Sequence, residues 1–179
     1  MKVSNAVLKD VLIIEPSIFG DARGLFFEPF NSITWGEKGL PTNFVQDNQS
    51  FSYKGVLRGL HFQKGDYAQG KLVRAITGKV LDVAVDLRPD SPTFKQWEFF
   101  ELDAQSNKMV YIPVGFAHGF LALEDSIFAY KCTAGYNKAS EGGILWNDPT
   151  LKIEWPVENP NVSDKDMVLP TLEEYLAQA

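Results

Sequence analysis

Short apolar runs, broken at close intervals by turn residues, constrain this chain more than any other feature of its sequence. The runs fall at Val11–Ile14, Leu25–Phe30, Phe44–Val45, Leu57–Phe62, Lys71–Ile76, Val80–Leu87, Gln96–Leu102, Lys108–Ile112, Gly119–Leu123 and Ile127–Thr133. Between them stand Gly20-Asp21, Lys54-Gly55, Gly65-Asp66, Thr77-Gly78, Pro89-Asp90, Pro113–Gly115 and Glu124-Asp125. Glycine supplies positive φ, proline a fixed φ, and aspartate a side chain that bonds its own backbone. Strand-length segments at this spacing predict an all-β sandwich or barrel. Helix is confined to two short stretches. One is Ser32–Lys38, started by Ser32; the other is Thr171–Leu176, with Thr171 as N-cap and Glu173 and Glu174 in the first turn. Trp146–Pro160 carries Pro149, Pro156 and Pro160 and reads as an extended cover. No repeat or linker divides the 179 residues, so a single domain over residues 1–179 is expected, with the N-terminal arm 1–30 lying as strands at one side.

Composition removes several function classes. A net charge of −6 argues against nucleic acid as a partner, although a few inward-pointing Arg and Lys can still build a local anion pocket. No apolar stretch is long enough to span a bilayer, and Met1–Asp10 lacks a signal-peptide core, so a cytoplasmic protein with no membrane partner is expected. The one cysteine, Cys132, has no intrachain partner and reads as a small pocket-lining apolar residue.

The informative residues are polar side chains inside strand-like segments. In Val80–Leu87, alternation puts Leu81, Val83, Val85 and Leu87 on one face and Val80, Asp82, Ala84 and Asp86 on the other. Asp82 is thus an acid within an apolar strand, and Lys71, sharing a face with Val73 and Ala75, is the partner it would be expected to meet, because an unpaired buried charge is costly. Both histidines of the chain, His61 and His118, lie among apolar residues near glycines, as do Arg58 and Tyr130 in their own strands. Strict alternation separates Arg58 from His61; they can share a pocket only if Gly59 breaks the pleat. A metal site of two histidines and one carboxylate is conceivable, but Gln63 stands where a clustered second histidine would be needed, so no metal and no cofactor are expected.

Taken in order, these segments resemble one family. They are Asp21-Ala22-Arg23-Gly24 with Phe26 and Glu28; Gln46-Asp47-Asn48; Leu57–Gln63; Lys71-Leu72-Val73-Arg74; Asp82–Arg88; Pro113–Phe120; Tyr130–Thr133; Glu141–Ile144 with Trp146–Pro149; and Ser163–Asp166. From about Leu12 to about Leu172 the chain is similar to the dTDP-4-dehydrorhamnose 3,5-epimerases. It departs at Gly135, where the family often has a tyrosine; Tyr136 beside it is present. The resemblance implies a cupin-type jelly roll with a few short helices, working as a homodimer. Its substrate would be dTDP-4-dehydro-6-deoxy-D-glucose, inverted at both carbons beside the C4 ketone to give dTDP-4-dehydro-L-rhamnose.

Proton abstraction beside a ketone needs a base, a partner for the enolate oxygen and an acid on the far face. Imidazole titrates near neutrality, which suits His61 as base. The resemblance makes Asp166 its orienting carboxylate, with Asp82 the weaker candidate. Lys71 suits the enolate oxygen and Tyr130 the returning proton. On the nucleotide, Arg23 and Arg58 suit the diphosphate. Glu28, Gln46, Asn48 and the adjacent Asp47 suit the thymine and deoxyribose, and Tyr136 suits stacking on the base. The resemblance also brings His118, Glu141 and Lys165 to the ligand, and sends Arg23 into the neighbouring subunit's site. Three other readings are a mono-epimerase of the same family, a metal-dependent cupin enzyme and a non-catalytic sugar-binding module.

Overall fold

Alternation and turn chemistry produce fourteen strands, described by a computed structural model over residues 1–178. In chain order they begin with β1 (Lys2–Asn5), β2 (Leu12–Glu15) and the hairpin β3 (Phe19–Asp21) and β4 (Gly24–Phe26), followed by helix α1 (Ser32–Glu37). Next come β5 (Gln46–Ser52), β6 (Val56–Gln63), β7 (Lys71–Thr77), β8 (Lys79–Asp86) and β9 (Trp97–Asp103). The chain continues through β10 (Met109–Ile112), β11 (Phe116–Ala122), β12 (Ser126–Cys132), β13 (Glu141–Gly143) and β14 (Asn161–Val162). Helices α2 (Asp164–Met167) and α3 (Leu172–Leu176) close it.

The strands form two facing sheets. The first runs β1-β2-β10-β7-β12-β5; the second runs β13-β6-β11-β8-β9, with β14 pairing β6 in parallel. This is a cupin-like jelly roll with a few short helices, as expected. Between the sheets lies the main core, including Val73 and Ala75 of β7, Val80 and Ala84 of β8, Phe116 and Phe120 of β11 and Phe128 of β12. The other face of the second sheet is also buried: Val83, Val85 and Leu87 pack under Ile144, Leu151, Ile153 and Leu172. The alternation expected in β8 therefore holds, and the proline-bearing cover lies where its composition suggested.

Several boundaries differ from the sequence reading. Helix α1 is capped by Asn31, whose Oδ1 accepts from the Ile33 and Thr34 N–H groups, so the cap lies one residue before Ser32. Thr171 caps α3 through a reciprocal capping box with Glu174. The run expected at Phe44–Val45 gives way to β5 at Gln46–Ser52, an edge strand whose inward positions are polar. Only Leu25 and Phe26 of the expected Leu25–Phe30 strand pair, in a hairpin that leaves Phe19, Leu25 and Phe26 exposed.

At the end of β8, Asp86 ties the following turn to the sheet. Its buried carboxylate accepts from Arg88 Nε (2.9 Å) and Nη2 (2.8 Å), Ser91 Oγ (2.5 Å) and Thr93 Oγ1 (2.7 Å). Burial alone would raise this carboxyl; the donors, Arg88 foremost, override it and lower the pKa to about 2.

Candidate active site

Where the two sheets splay, a cavity of about 530 Å³ opens, lined among others by Arg58, His61, Lys71, His118, Tyr130 and Asp166. A second lobe of about 380 Å³ shares His61, Lys71 and Tyr130 and adds Gln46, Asn48, Gln63, Tyr136 and Glu141. His61 and Arg58 come from β6, whose pleat is broken at Gly59, as their common pocket requires. Gly59 has φ +130°, and a Cβ there would lie 2.6 Å from the Gly119 Cα. The β6–β11 register shifts at this point, between His118 and Phe120. A close backbone crossing and a left-handed φ both demand glycine, and together they turn two side chains of opposite parity into one cavity.

His61 Nε2 lies 2.7 Å from Asp166 Oδ1, and the Gly59 N–H donates to Asp166 Oδ2 at 3.1 Å. Asp166 is buried in α2, whose N-cap Ser163 accepts from the Asp166 N–H. Burial would raise the Asp166 carboxyl, but the hydrogen bond and charge of His61, the Gly59 N–H and Lys165 hold it below its ordinary value. An ionised carboxylate only accepts, so it fixes the proton on His61 Nε2 and leaves the lone pair on Nδ1.

Lys71 enters from β7, with Cys132 as its register neighbour on β12. The ion pair expected between Lys71 and Asp82 does not form. Asp82 is fully buried and takes His118 instead, Oδ1 to Nε2 at 2.6 Å, and its Oδ2 has no partner among the described residues. Parity identified the face of Asp82 correctly; its partner is the histidine two residues along the paired strand β11 from its register neighbour Phe120. Lys71 Nζ is left without an ion pair among the described residues. Burial lowers its pKa, against the opposing charges of Cys132 and Asp82. Burial likewise lowers His118 and raises the Tyr130 phenol. Tyr130 stands on β12, in the sheet facing His61.

Not every expected residue joins this site. Arg23, at the exposed hairpin, pairs with Asp21 (Nη2 to Oδ2, 2.5 Å), and Glu28 accepts from Asn31 Nδ2; neither lines the cavity of its own chain. Asp47 lies on the opposite face of β5 from Gln46 and Asn48 and pairs with Lys131 at 2.7 Å. Gln46 is engaged internally: its Oε1 accepts from the Tyr136 N–H and its Nε2 donates to Asn48 Oδ1. Lys165 pairs with Glu141 at 2.5 Å beside Tyr136. Ser50, Asn161 and Ser163 also line the cavity and were not singled out from sequence. Only Ser163 left a trace there, an N-cap residue ahead of a run of charged residues.

The arrangement offers a carboxylate-oriented imidazole, a buried cation and a phenol on opposed walls. Among the described residues, no three His, Cys, Asp or Glu side chains gather to hold a metal ion, because each histidine is committed to its own carboxylate. No helix among them is long and apolar enough to cross a membrane.

The family model of dTDP-4-dehydrorhamnose 3,5-epimerase matches residues 5–174. A dTDP-4-dehydrorhamnose 3,5-epimerase of Salmonella typhimurium is 52% identical, with 98% of each chain covered. Among solved structures, the chain is similar to an epimerase from Legionella pneumophila in complex with dTDP-4-keto-L-rhamnose, at 46% identity and a TM-score of 0.93, covering 99% of this chain and 95% of that one. A 3′-monoepimerase from Streptomyces bikiniensis, in complex with dTDP-quinovose, is 36% identical with a TM-score of 0.89, covering 96% of this chain and 89% of that one.

Proposed function

The chain belongs to the dTDP-4-dehydrorhamnose 3,5-epimerase family and is an isomerase that inverts C3 and C5 of dTDP-4-dehydro-6-deoxy-D-glucose; on that premise we propose how its own residues divide the chemistry. The observation that carries the assignment is His61 on one sheet, held by Asp166 of α2, facing Tyr130 and the unpaired Lys71 on the other sheet in the same cavity.

The C4 ketone acidifies the hydrogens on C3 and C5. His61 Nδ1 takes one of them, and Asp166 stabilises the imidazolium that forms. The electron pair moves onto the C4 oxygen, where Lys71 meets it. Lys71 interacts more strongly with the oxyanion than with the ketone, so its effect falls on the transition state. Tyr130 then protonates the same carbon from the far face. Burial raises its phenol, which suits a donor to a carbanion and not a resting base. Each inversion leaves His61 protonated and Tyr130 ionised. Exchange with solvent resets both before the second carbon reacts.

Arg58, held by Ser52 Oγ (3.0 Å) and the Phe51 carbonyl (3.2 Å), presents a guanidinium for the diphosphate. Tyr136 stacks on the thymine, with Asn48, Glu141, Lys165 and His118 around the nucleotide and sugar. The protein works as a homodimer in which the N-terminal arm of one subunit brings Arg23, at its hairpin, and Glu28, just after it, to the other's site. The exposed Phe19, Leu25 and Phe26 beside Arg23 support this reading, since so much clustered apolar surface favours a partner. Catalysis needs no metal, because Lys71 supplies the charge a Lewis acid would otherwise provide. A cytoplasmic location accords with Cys132, a free buried thiol.

Paired variants in heavy water test the two proton roles. His61→Ala should abolish deuterium incorporation beside the ketone while dTDP still binds. Tyr130→Phe should incorporate deuterium with retained configuration, because His61 returns the proton to the face it left. Normal yield of doubly inverted product from Tyr130→Phe would remove Tyr130 from the mechanism.

A further inference from the structure

Gln63 stands where a metal-binding barrel would place a second histidine, and it is buried, at 8% exposure. Its Oε1 accepts from the Asn137 backbone N–H at 2.9 Å. The N–H one residue earlier, on Tyr136, is accepted by Gln46 Oε1 at 2.8 Å. The two glutamines come from different sheets, Gln46 from β5 and Gln63 from β6, so together they bridge the mouth of the cavity through two consecutive amides of one turn. Tyr136 needs such a device. The residue is 54% exposed and has no aromatic neighbour among the described contacts, so packing does little to fix it. No strand partner takes either amide, and a backbone N–H left unmade at a half-buried turn is costly. The rest of the turn is secured in the same way. Gln69 Nε2 donates to the Ala134 carbonyl at 2.8 Å, and Asn137 Oδ1 caps the amides of Ala139 and Ser140. Glu141, the residue after that capped turn, sits opposite Gln63 in the β6–β13 ladder and receives the Tyr136 hydroxyl and Lys165.

We propose that Gln63 and Gln46 are positioning residues that clamp the turn carrying Tyr136 across the two sheets, and so preset the nucleotide platform without touching the proton-transfer groups. This rests on Tyr136 being the residue that stacks on the base. Gln46 engages both amide atoms with protein, Oε1 with Tyr136 and Nε2 with Asn48, as a brace does. Gln63 uses only its oxygen, so replacing it by Glu keeps the acceptor, whereas Met keeps the length and removes it.

The test is residue-resolved amide hydrogen exchange together with dTDP affinity and steady-state kinetics on the full chain. In Gln63→Met, losing one net hydrogen bond should speed exchange at Asn137 and raise the dTDP Kd and the KM by about 3- to 10-fold, with kcat within about twofold. Gln63→Glu should restore the Asn137 protection and most of the affinity. Gln46→Met, reaching the same turn from the other sheet, should speed exchange at Tyr136, and it decides the matter if Gln63→Met does not fold. Unchanged exchange at the targeted amide, a loss of kcat at constant KM, or Met and Glu variants equally impaired at position 63 would overturn the clamp. Tyr136→Ala separates the two ideas: native dTDP affinity in that variant would overturn the stacking role of Tyr136, while the exchange data still judge the brace.

Discussion

Replacing Asp166 by Asn changes one atom and removes one charge at the centre of the proposed base. The carboxylate accepts two donors, the His61 ring at 2.7 Å and the Gly59 N–H at 3.1 Å. An amide has one acceptor oxygen, so it can satisfy only one of them. With oxygen towards His61, its NH2 faces the Gly59 N–H and the two donors oppose each other. With oxygen towards Gly59, its NH2 faces His61 Nε2, which must then carry the lone pair, and the proton moves to Nδ1, the atom that should accept from the sugar. Either way the imidazolium loses a charge-assisted hydrogen bond of about 1.5–3 kcal/mol, roughly one to two powers of ten in rate. Displacing the tautomer adds to this, within the about 10²- to 10⁴-fold that a general base contributes in all. The expected result is a fall in kcat of about 10²- to 10³-fold, with dTDP affinity changed by less than about threefold. Proton wash-out beside the ketone by NMR, with calorimetric titration of dTDP, measures both. A kcat within a few-fold of native, or affinity and rate falling together, would refute the reasoning.

Two further outcomes bear on the rest of the account. Mixing Arg23→Ala subunits with His61→Ala subunits should recover part of the activity, because each heterodimer then holds one site with both residues intact; no recovery from confirmed heterodimers would count against shared sites. Asp86→Asn should destabilise the fold by about 2 kcal/mol near pH 7, since the carboxyl lies at about 2 when folded against an ordinary 3.8. A depressed folded pKa stabilises above the unfolded value and loses that contribution as pH falls through the folded one. The gap between native and variant in urea melts should therefore close between about pH 4 and pH 2, and a gap independent of pH would contradict the ion network.

The sequence disclosed the strands whose two faces are buried, because apolar runs such as Val80–Leu87 read the same whichever way a residue points. It hid β5, since a strand that supplies Gln46 and Asn48 to a polar cavity has no apolar run to show. Gly59 was legible as the place where alternation must fail, and Arg58 and His61 meet there. Pairing was harder to read. Parity placed Asp82 in the interior and pointed to Lys71; His118 as its partner follows only from the β8–β11 register. The His61–Asp166 couple joins residues 105 apart, beyond any local pattern, so only resemblance suggested it. Helix α2, four residues long, is too short for a periodic signal, and yet it carries Asp166. The same locality explains Asp47. Its neighbours share a cavity, and a period of two sends it to the other face.

The most direct test of double inversion through opposed proton donors and acceptors is turnover of dTDP-4-dehydro-6-deoxy-D-glucose by the native enzyme in heavy water, followed by NMR of the product. The expected product is dTDP-4-dehydro-L-rhamnose carrying solvent deuterium at both C3 and C5, because each carbon loses its proton to His61 and receives another from Tyr130. Deuterium and inversion at one carbon only, or inverted product that keeps its original protons, would contradict it.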